Sequence, residues 1–502
     1  MTKTLIALDT NQIKEFVFAT DKLREMLGAS ALLDDLNRTQ TPQLVSGRMI
    51  YSHGGSGLFL VESDQADTAI QAVQYAYREQ SGGAASIAAA KLALPADFDP
   101  DITYIQPYWN HLSALLDAAK KQPAPQAVFT HPLLRPCASD GVTYGSYAGN
   151  ETDELVSEAT RKKRRKRDDI RQNRDEPQDL DALGAQSKPQ GYIGLVYADG
   201  DSFGQAMSEC QTLNEIGVLA HLIYESLNAA ISTVTQTIFV GEQVKILQGG
   251  DDVVLLLSAH HALHAANRIG KGFAKEFSAS LDAAIAAKKI SPAFRVNTKS
   301  LTLSVSVVWA HAHFPFADLL NLAESALKFA KKVGVKRDQR GLVNFLVVSS
   351  TNHLDFNAFY NKTLIVKEGG HQNARTRICR TLRPYTNQQI DDLFKWRGVL
   401  KSISRSKLEQ VRRAIYRPSV EQAMMDGLSV LTHARMRDRN LLHDAAGMMT
   451  PHNANPSIQP LLAFPFVRAS LAPDDPTHYA PLADLIEIFD FIGVEKAEED
   501  AN

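Results

Sequence analysis

Apolar positions along the chain fall into short runs and helical stripes that recur in a fixed order. Residues 191–198 (GYIGLVYA) are apolar and β-prone, the pattern of a buried strand. Helical spacing occupies 202–238. Two short apolar strands, 243–248 and 253–257, flank Gly249-Gly250-Asp251-Asp252, a hairpin signal. A helix follows over 261–289, a strand over 301–310, and an amphipathic helix over 317–333 with Leu319, Leu322, Ala326, Leu327 and Ala330 near one face. Residues 342–348 close the unit as a strand. The order β-α-β-β-α-β, with one helix added after the hairpin, is the split βαβ pattern of a ferredoxin-like sheet.

The N-terminal segment repeats this pattern. A strand over 4–8 ends at Asp9, as the later strand ends at Asp199, and helical sequence runs on to about 37. Residues 49–61 (MIYSHGGSGLFLV) then parallel 245–257 (KILQGGDDVVLLL), both strand, Gly-Gly turn, strand. The Gly-Gly pairs are 195 residues apart and the two Asp residues 190 apart. An internal duplication accounts for this better than chance similarity of two hairpins. Ser56 and Gly57 stand where the second copy has Asp251 and Asp252, so one copy kept the carboxylates. Beyond 350 the sequence is helix-rich: Thr386 caps an apolar-periodic run, and 482–491 forms a last helix. The expected fold class is α+β. Residues 1–130 are expected to form a degenerate first ferredoxin-like domain and 131–190 an insert between the two. Residues 191–350 would form the second such domain and 351–502 a helical C-terminal domain.

Within the insert, residues 161–167 read Arg-Lys-Lys-Arg-Arg-Lys-Arg, and polar sequence continues to about 190. Without apolar periodicity this reads as a linker whose cations face solvent or phosphate. Lys+Arg is 54 against Asp+Glu 56, a formal net charge of -2. That balance excludes a protein that works through an overall basic surface, so any nucleic-acid contact is local. Cys137, Cys210 and Cys379 form no C-x-x-C pair, which argues against a zinc ribbon or disulfide framework and suits a reducing cytoplasm. No apolar stretch approaches the ~20 residues needed to cross a bilayer, and the N-terminal run is too short for a signal peptide. A cytoplasmic protein without membrane contact is expected.

The candidate chemistry lies at two strand ends. Asp199-Gly200-Asp201 ends one strand and Asp251-Asp252 sits in a turn between its neighbours. A β-α-β-β sheet brings them to one edge. Converging carboxylates repel, and hard Mg²⁺ or Mn²⁺ ions resolve that cost. Two such metals activate an attacking hydroxyl and stabilise a leaving pyrophosphate. Gly200, Gly249 and Gly250 leave room for a triphosphate beside the backbone. The alternative is a plain turn, where Gly and Asp are common. His260, His261 and His264 show no carboxylate companion in the sequence and read as helix surface and polar core. His443-Asp444 lacks the further ligands of a nuclease site and reads as helix surface.

ADGDSFG (198–204), QGGDD (248–252) and FADLLNLAESALKFAKK (316–332) resemble the second palm of the CRISPR polymerase. That protein is the large subunit of type III CRISPR–Cas effector complexes, a relative of GGDEF cyclases. Residues 8–36 look like that family's first palm. The resemblance implies cyclic oligoadenylate synthesis from ATP, with two Mg²⁺ or Mn²⁺ per site. Asp199, Asp251 and Asp252 would be catalytic metal ligands, supported by Asp201. Gly200, Ser202, Gly249, Gly250, Lys331, Ser30 and Ser56 would contact nucleotide. Lys331 matches an alanine–lysine pair of cyclase palms, with a solvated helix lysine as the alternative. Gly28-Ala29-Ser30 could meet a second ATP, with a helix C-cap glycine as the alternative. Implied partners are guide RNA, target RNA and other CRISPR-associated subunits. Family members often begin with an HD nuclease domain and carry a cysteine zinc ribbon. Here a palm strand comes first and Cys137 stands alone, so no DNase activity is expected and the insert would keep the ribbon's shape without metal. The rival readings are a GGDEF-like cyclase with another product and a catalytically silent scaffold.

Overall fold

The computed structural model describes residues 2–122, 134–149, 154–170, 176–250, 252–292, 294, 301–348, 355–367, 377–448, 464–468 and 478–493. The first palm runs β1 (Lys3–Asn11), α1 (Leu23–Asp35), β2 (Arg48–His53), β3 (Ser56–Glu62), α2 (Ala66–Ser81) and β4 (Ser86–Ala93). Its sheet has the order β2-β3-β1-β4, antiparallel throughout, the ferredoxin-like arrangement. α3 (Gln106–Lys120) follows, then α4 (Glu158–Ile170) in the insert.

The second palm repeats the plan. β5 (Tyr192–Asp201), α5 (Phe203–Glu209) and α6 (Leu213–Thr235) lead into the hairpin β6 (Gln243–Gly249) and β7 (Asp252–Ser258). α7 (Ala262–Ala286), β8 (Thr302–His311), α8 (Phe316–Arg337), β9 (Leu342–Val347) and β10 (Tyr385–Thr386) complete it. The sheet order is β10-β9-β8-β5-β7-β6. This corrects the strand count expected from sequence. The fourth ferredoxin strand is β8, antiparallel to β5, and α7 is the second crossover helix. β9 is an extension, parallel to β8, reached through α8. Both β8 and β9 are almost wholly buried, so apolarity alone does not tell them apart.

Along β1, Leu5 and Ala7 join one buried cluster while Ile6 and Leu8 join another, because side chains alternate across a strand. Both clusters continue into the second palm, through Val196 and Val253 in one and Tyr197 and Val254 in the other. The palms thus share two cores. The contact is reciprocal, as about a two-fold axis: α1 packs on β6, and α6 packs on β2. At the centre the two glycine turns touch. A Cβ on Gly54 would lie 1.9 Å from the Gly250 nitrogen and 2.2 Å from its Cα.

The basic run is not a linker. Residues 161–167 lie in α4, with Lys163, Arg164 and Arg167 buried on one face. Arg164 pairs with Glu25 at 2.8 Å and Glu154 at 2.9 Å, Lys166 with Asp35 at 2.8 Å, Arg161 with Glu158 at 2.7 Å, and Arg167 with Glu176. Two of these carboxylates, Glu25 and Asp35, are more than a hundred residues away in sequence, which is why local composition misleads. α4 rests on α1 at Gly28, where a Cβ would lie 1.8 Å from the Lys163 carbonyl oxygen. Gly28 is therefore an interior contact of a helix that continues to Asp35, not a C-cap. Cys137 is buried in the insert beside Thr160.

The C-terminal region is helical: α9 (Asn387–Leu400), α10 (Arg405–Ile415), α11 (Val420–Thr432), α12 (Met436–Met448) and α13 (Pro481–Ile488). Thr386 closes a capping box with Gln389 at the start of α9. A small four-stranded sheet accompanies the helices. Buried Arg383 donates to the Phe345 carbonyl at 2.8 Å and Glu487 at 2.9 Å, and pairs with Asp484 at 3.0 Å. Among the described residues no helix is long and apolar enough to cross a membrane.

Gly54 has φ +68 as well as its contact with Gly250. Alanine there costs about 1 kcal/mol for the backbone alone, and the clash adds to it. Gly54→Ala should lower the melting temperature clearly. Gly398→Ala, in open space on a helix, should leave it level or raise it. Thermal melts of the two variants give the comparison, and equal melts would remove the glycine contact from the account.

Candidate nucleotide site

β5 and β7 pair through Ala198 and Val253, so Asp199 and Asp252 come next and face each other across the strand ends. Asp251 lies outside the described residues. Asp199 accepts from Lys331 Nζ at 2.5 Å, and the same amine donates to the Gly200 carbonyl at 2.7 Å. Lys331 on α8 therefore reaches the strand end and is not a solvated helix lysine. Asp252 accepts from the Tyr197 hydroxyl at 3.2 Å. Burial, then the Asp199 charge, push the Asp252 pKa up to about 6, while Lys14 and Lys331 oppose the rise. Burial also raises the Tyr197 pKa, as do the charges of Asp252, Glu324 and Asp199. A carboxylate held against its ordinary ionisation beside a second one is a donor set that hard divalent cations fit.

Asp201 differs from its neighbour. Its oxygens accept from Thr302 at 2.8 Å, Ser304 at 2.8 and 3.0 Å, and the Gly341 amide at 2.9 Å. It is buried and ties β5 to β8, which corrects its expected place as a supporting metal ligand. Gly200 is needed for packing, since a Cβ there would lie 2.6 Å from the Phe203 ring. Ser202 sits at φ 66 before α5, half-buried. Gly249 ends β6 and Gly250 has φ +59, so both belong to the turn against Gly54.

The first palm keeps more of this site than its sequence suggested. Asp9 pairs with Lys120 on α3, as Asp199 pairs with Lys331 on α8, and each helix follows its palm's fourth strand. Burial raises the Asp9 pKa, opposed by Lys120. Asp9 lies opposite Ser56 in the ladder. Because His53 pairs with Ser56 as Gly249 pairs with Asp252, Ser56 takes the place of Asp252 itself, one position off the sequence alignment. Ser30 is half-buried in the middle of α1. Sequence reasoning missed Lys14, Tyr197, Glu324 and Lys120. Lys120 could have been found by extending the duplication past the fourth strand. It also missed the carboxylate beside the histidines. His260 and His261 lie 3.5 and 3.3 Å from Glu242, at the open end of the β6–β7 hairpin. The Lys188 amide donates to His260 Nδ1, and the ring of His261 is hydrogen-bonded to Glu242. His443 and Asp444 lie 3.7 Å apart on α12.

Fold and site define a tandem-palm protein whose second palm carries facing carboxylates beside a glycine turn. Residues 192–340 match the model of the Cas10/Cmr2 second palm domain. No curated protein sequence matches. A Csm1–Csm4 cassette in complex with one ATP shares 13% identity at TM-score 0.58, over 98% of this chain and 70% of that one. Csm1 of T. onnurineus shares 12% at TM-score 0.54, over 98% and 69%. A cassette in complex with cA4 shares 13% at TM-score 0.52, over 84% and 64%, so this chain spans under two thirds of that one. At such identities the likeness is one of fold.

A carboxyl whose folded pKa exceeds its unfolded value destabilises once ionised, so its cost appears as pH rises from about 4 through about 6. For Asp252 the cost reaches at most about 3 kcal/mol. Without divalent metal, wild type should lose stability over that range relative to Asp252→Asn. Chelator-treated melts from pH 4 to 8 measure the difference, and parallel curves would contradict the burial of this charge.

Proposed function

We propose that the second palm is a metal-dependent nucleotidyltransferase that joins ATP into cyclic oligoadenylates. The observation that carries this is the facing of Asp199 and Asp252 at the strand ends, beside a glycine turn seated on the other palm. Asp199 and Asp252 would hold Mg²⁺ or Mn²⁺, with Asp251 beside them by its place in the sequence. The bound ions would supply activation of a 3′-hydroxyl and charge neutralisation at the departing pyrophosphate. Lys331 keeps Asp199 oriented through its bonds to that carboxylate and to the Gly200 carbonyl. Tyr197 orients Asp252 by donating to one of its oxygens. Asp201 holds the strand end rigid and takes no metal. One nucleotide's 3′-hydroxyl attacks the α-phosphate of the other, forming a phosphodiester bond as pyrophosphate leaves. The first palm lacks a carboxylate at Ser56 and would bind nucleotide without catalysing transfer. Gly249, Gly250 and Ser202 border the approach to the strand end.

The Csm1–Csm4 cassettes with ATP and cA4 support ATP as substrate and a cyclic product. On the same footing we place the chain as the large subunit of a type III CRISPR effector complex, with guide RNA, target RNA and smaller subunits as partners, in the cytoplasm. The paired cations of α4 are not assigned to RNA.

Purified protein with ATP and Mg²⁺ or Mn²⁺ should yield oligoadenylates resolved by mass. Asp199→Ala and Asp252→Asn should each reduce the rate at least about 100-fold, since a metal ligand supplies several kcal/mol of transition-state stabilisation. Wild-type rates in either variant, with folding intact, would end this reading.

A further inference from the structure

Lys14 belongs to the first palm by sequence but reaches the second palm's site. It sits on a five-residue helix, Ile13–Val17. Its Nζ lies 3.5 Å from Glu324 Oε1 on α8 and 5.0 Å from the centroid of the Tyr197 ring. Tyr197 in turn donates to Asp252. Of the three amines beside these carboxylates, Lys331 is bound at 2.5 and 2.7 Å and Lys328 holds Glu324 at 2.7 Å. Lys14 has the longest contact, on a side chain one third exposed. Such a cation exchanges its partner readily for a stronger anion such as a triphosphate.

A helix of five residues cannot hold itself in place, because nucleation is costly and only longer helices are stable alone. This one is anchored from the insert. Lys163 Nζ donates to the Phe16 carbonyl at 2.5 Å and lies 4.2 Å from the centroid of the Phe16 ring. The other buried cations of α4, Arg164 and Arg167, pair with carboxylates, whereas Lys163 is committed to this helix end. A lysine amine at the C-terminal end of a helix also opposes the helix dipole. α4 is fixed in turn by its contact with Gly28.

We propose that Lys14 is a nucleotide-phosphate ligand delivered across the palm interface, and that Lys163 of the insert is the positioning residue that holds it there. The proposal rests on the ATP reading above. It gives the insert a part in nucleotide affinity through a chain of three contacts, without touching substrate.

The test uses the full chain, a fluorescent ATP analogue with Ca²⁺ for binding, and Mn²⁺-ATP for turnover. Lys14→Ala should weaken binding about tenfold or more, the loss of one charge-assisted contact. It should raise KM by a similar factor with kcat little changed. Lys163→Met should move KM the same way, Lys163→Arg should restore it, and the double variant should be no worse than Lys14→Ala alone. Arg165→Ser, exposed on the same helix, serves as the control. Wild-type binding in Lys14→Ala, where Asp199→Ala does not bind, would overturn the proposal and leave the ATP reading standing. A wild-type chain that binds no ATP would defeat that reading first and this one with it. Lys163→Met that lowers the melting temperature but keeps KM would reduce Lys163 to a fold residue.

Discussion

The contact between two glycine turns sets the geometry of the whole molecule. Backbone meets backbone at Gly54 and Gly250, at a spacing no side chain would tolerate. With the turns held this close, α1 lies on the second palm's hairpin and α6 on the first palm's. Two cores then run unbroken through both sheets. The tips of both hairpins and the ends of both first strands converge at the same place. That is how a lysine encoded 238 residues before Asp252 comes to share its electrostatic surroundings.

Within that frame the two palms diverge by charge rather than by shape. Each keeps an aspartate at the end of its first strand, paired with a lysine from the helix after its fourth strand. The second palm adds Asp252 opposite, and its burial makes the added charge costly. The first palm has a neutral serine there, so no second charge faces Asp9, whose own burial Lys120 opposes. In the second palm two like charges face each other, and Lys14 and Lys331 offset part of the cost.

Much of this was legible in the sequence because it is local. Strand–turn–strand units with Gly-Gly and Asp, and the stripe of Leu319 to Ala330, each declare themselves within a dozen residues. The duplication followed from comparing two such units. What stayed hidden depends on partners far along the chain. Arg164 lies 139 residues from Glu25, so α4 looked like a solvated run when part of its charge is neutralised by acids of the first palm. Asp201 looked like a twin of Asp199 because spacing cannot show that Thr302, Ser304 and Gly341 already claim its oxygens. Glu242 stood 18 residues before His260, too far to read as a companion until the hairpin folded back. Lys14 had no motif at all.

The buried knot between the second palm and the last described helix bears on the order of synthesis. Asp484 accepts from Thr381, Leu382 and Tyr385 and pairs with Arg383, about a hundred residues upstream. Arg383 also holds the Phe345 carbonyl on β9, next to the short edge strand of the palm sheet. On the ribosome, Arg383 emerges long before its carboxylate. Until residue 484 follows, the guanidinium has no buried counter-charge to enter the core with, and an unpaired buried charge is costly. The far edge of the palm sheet is therefore sealed only once about a hundred further residues have followed Arg383. A chain released early would keep the carboxylate hairpin of the second palm but leave that edge open.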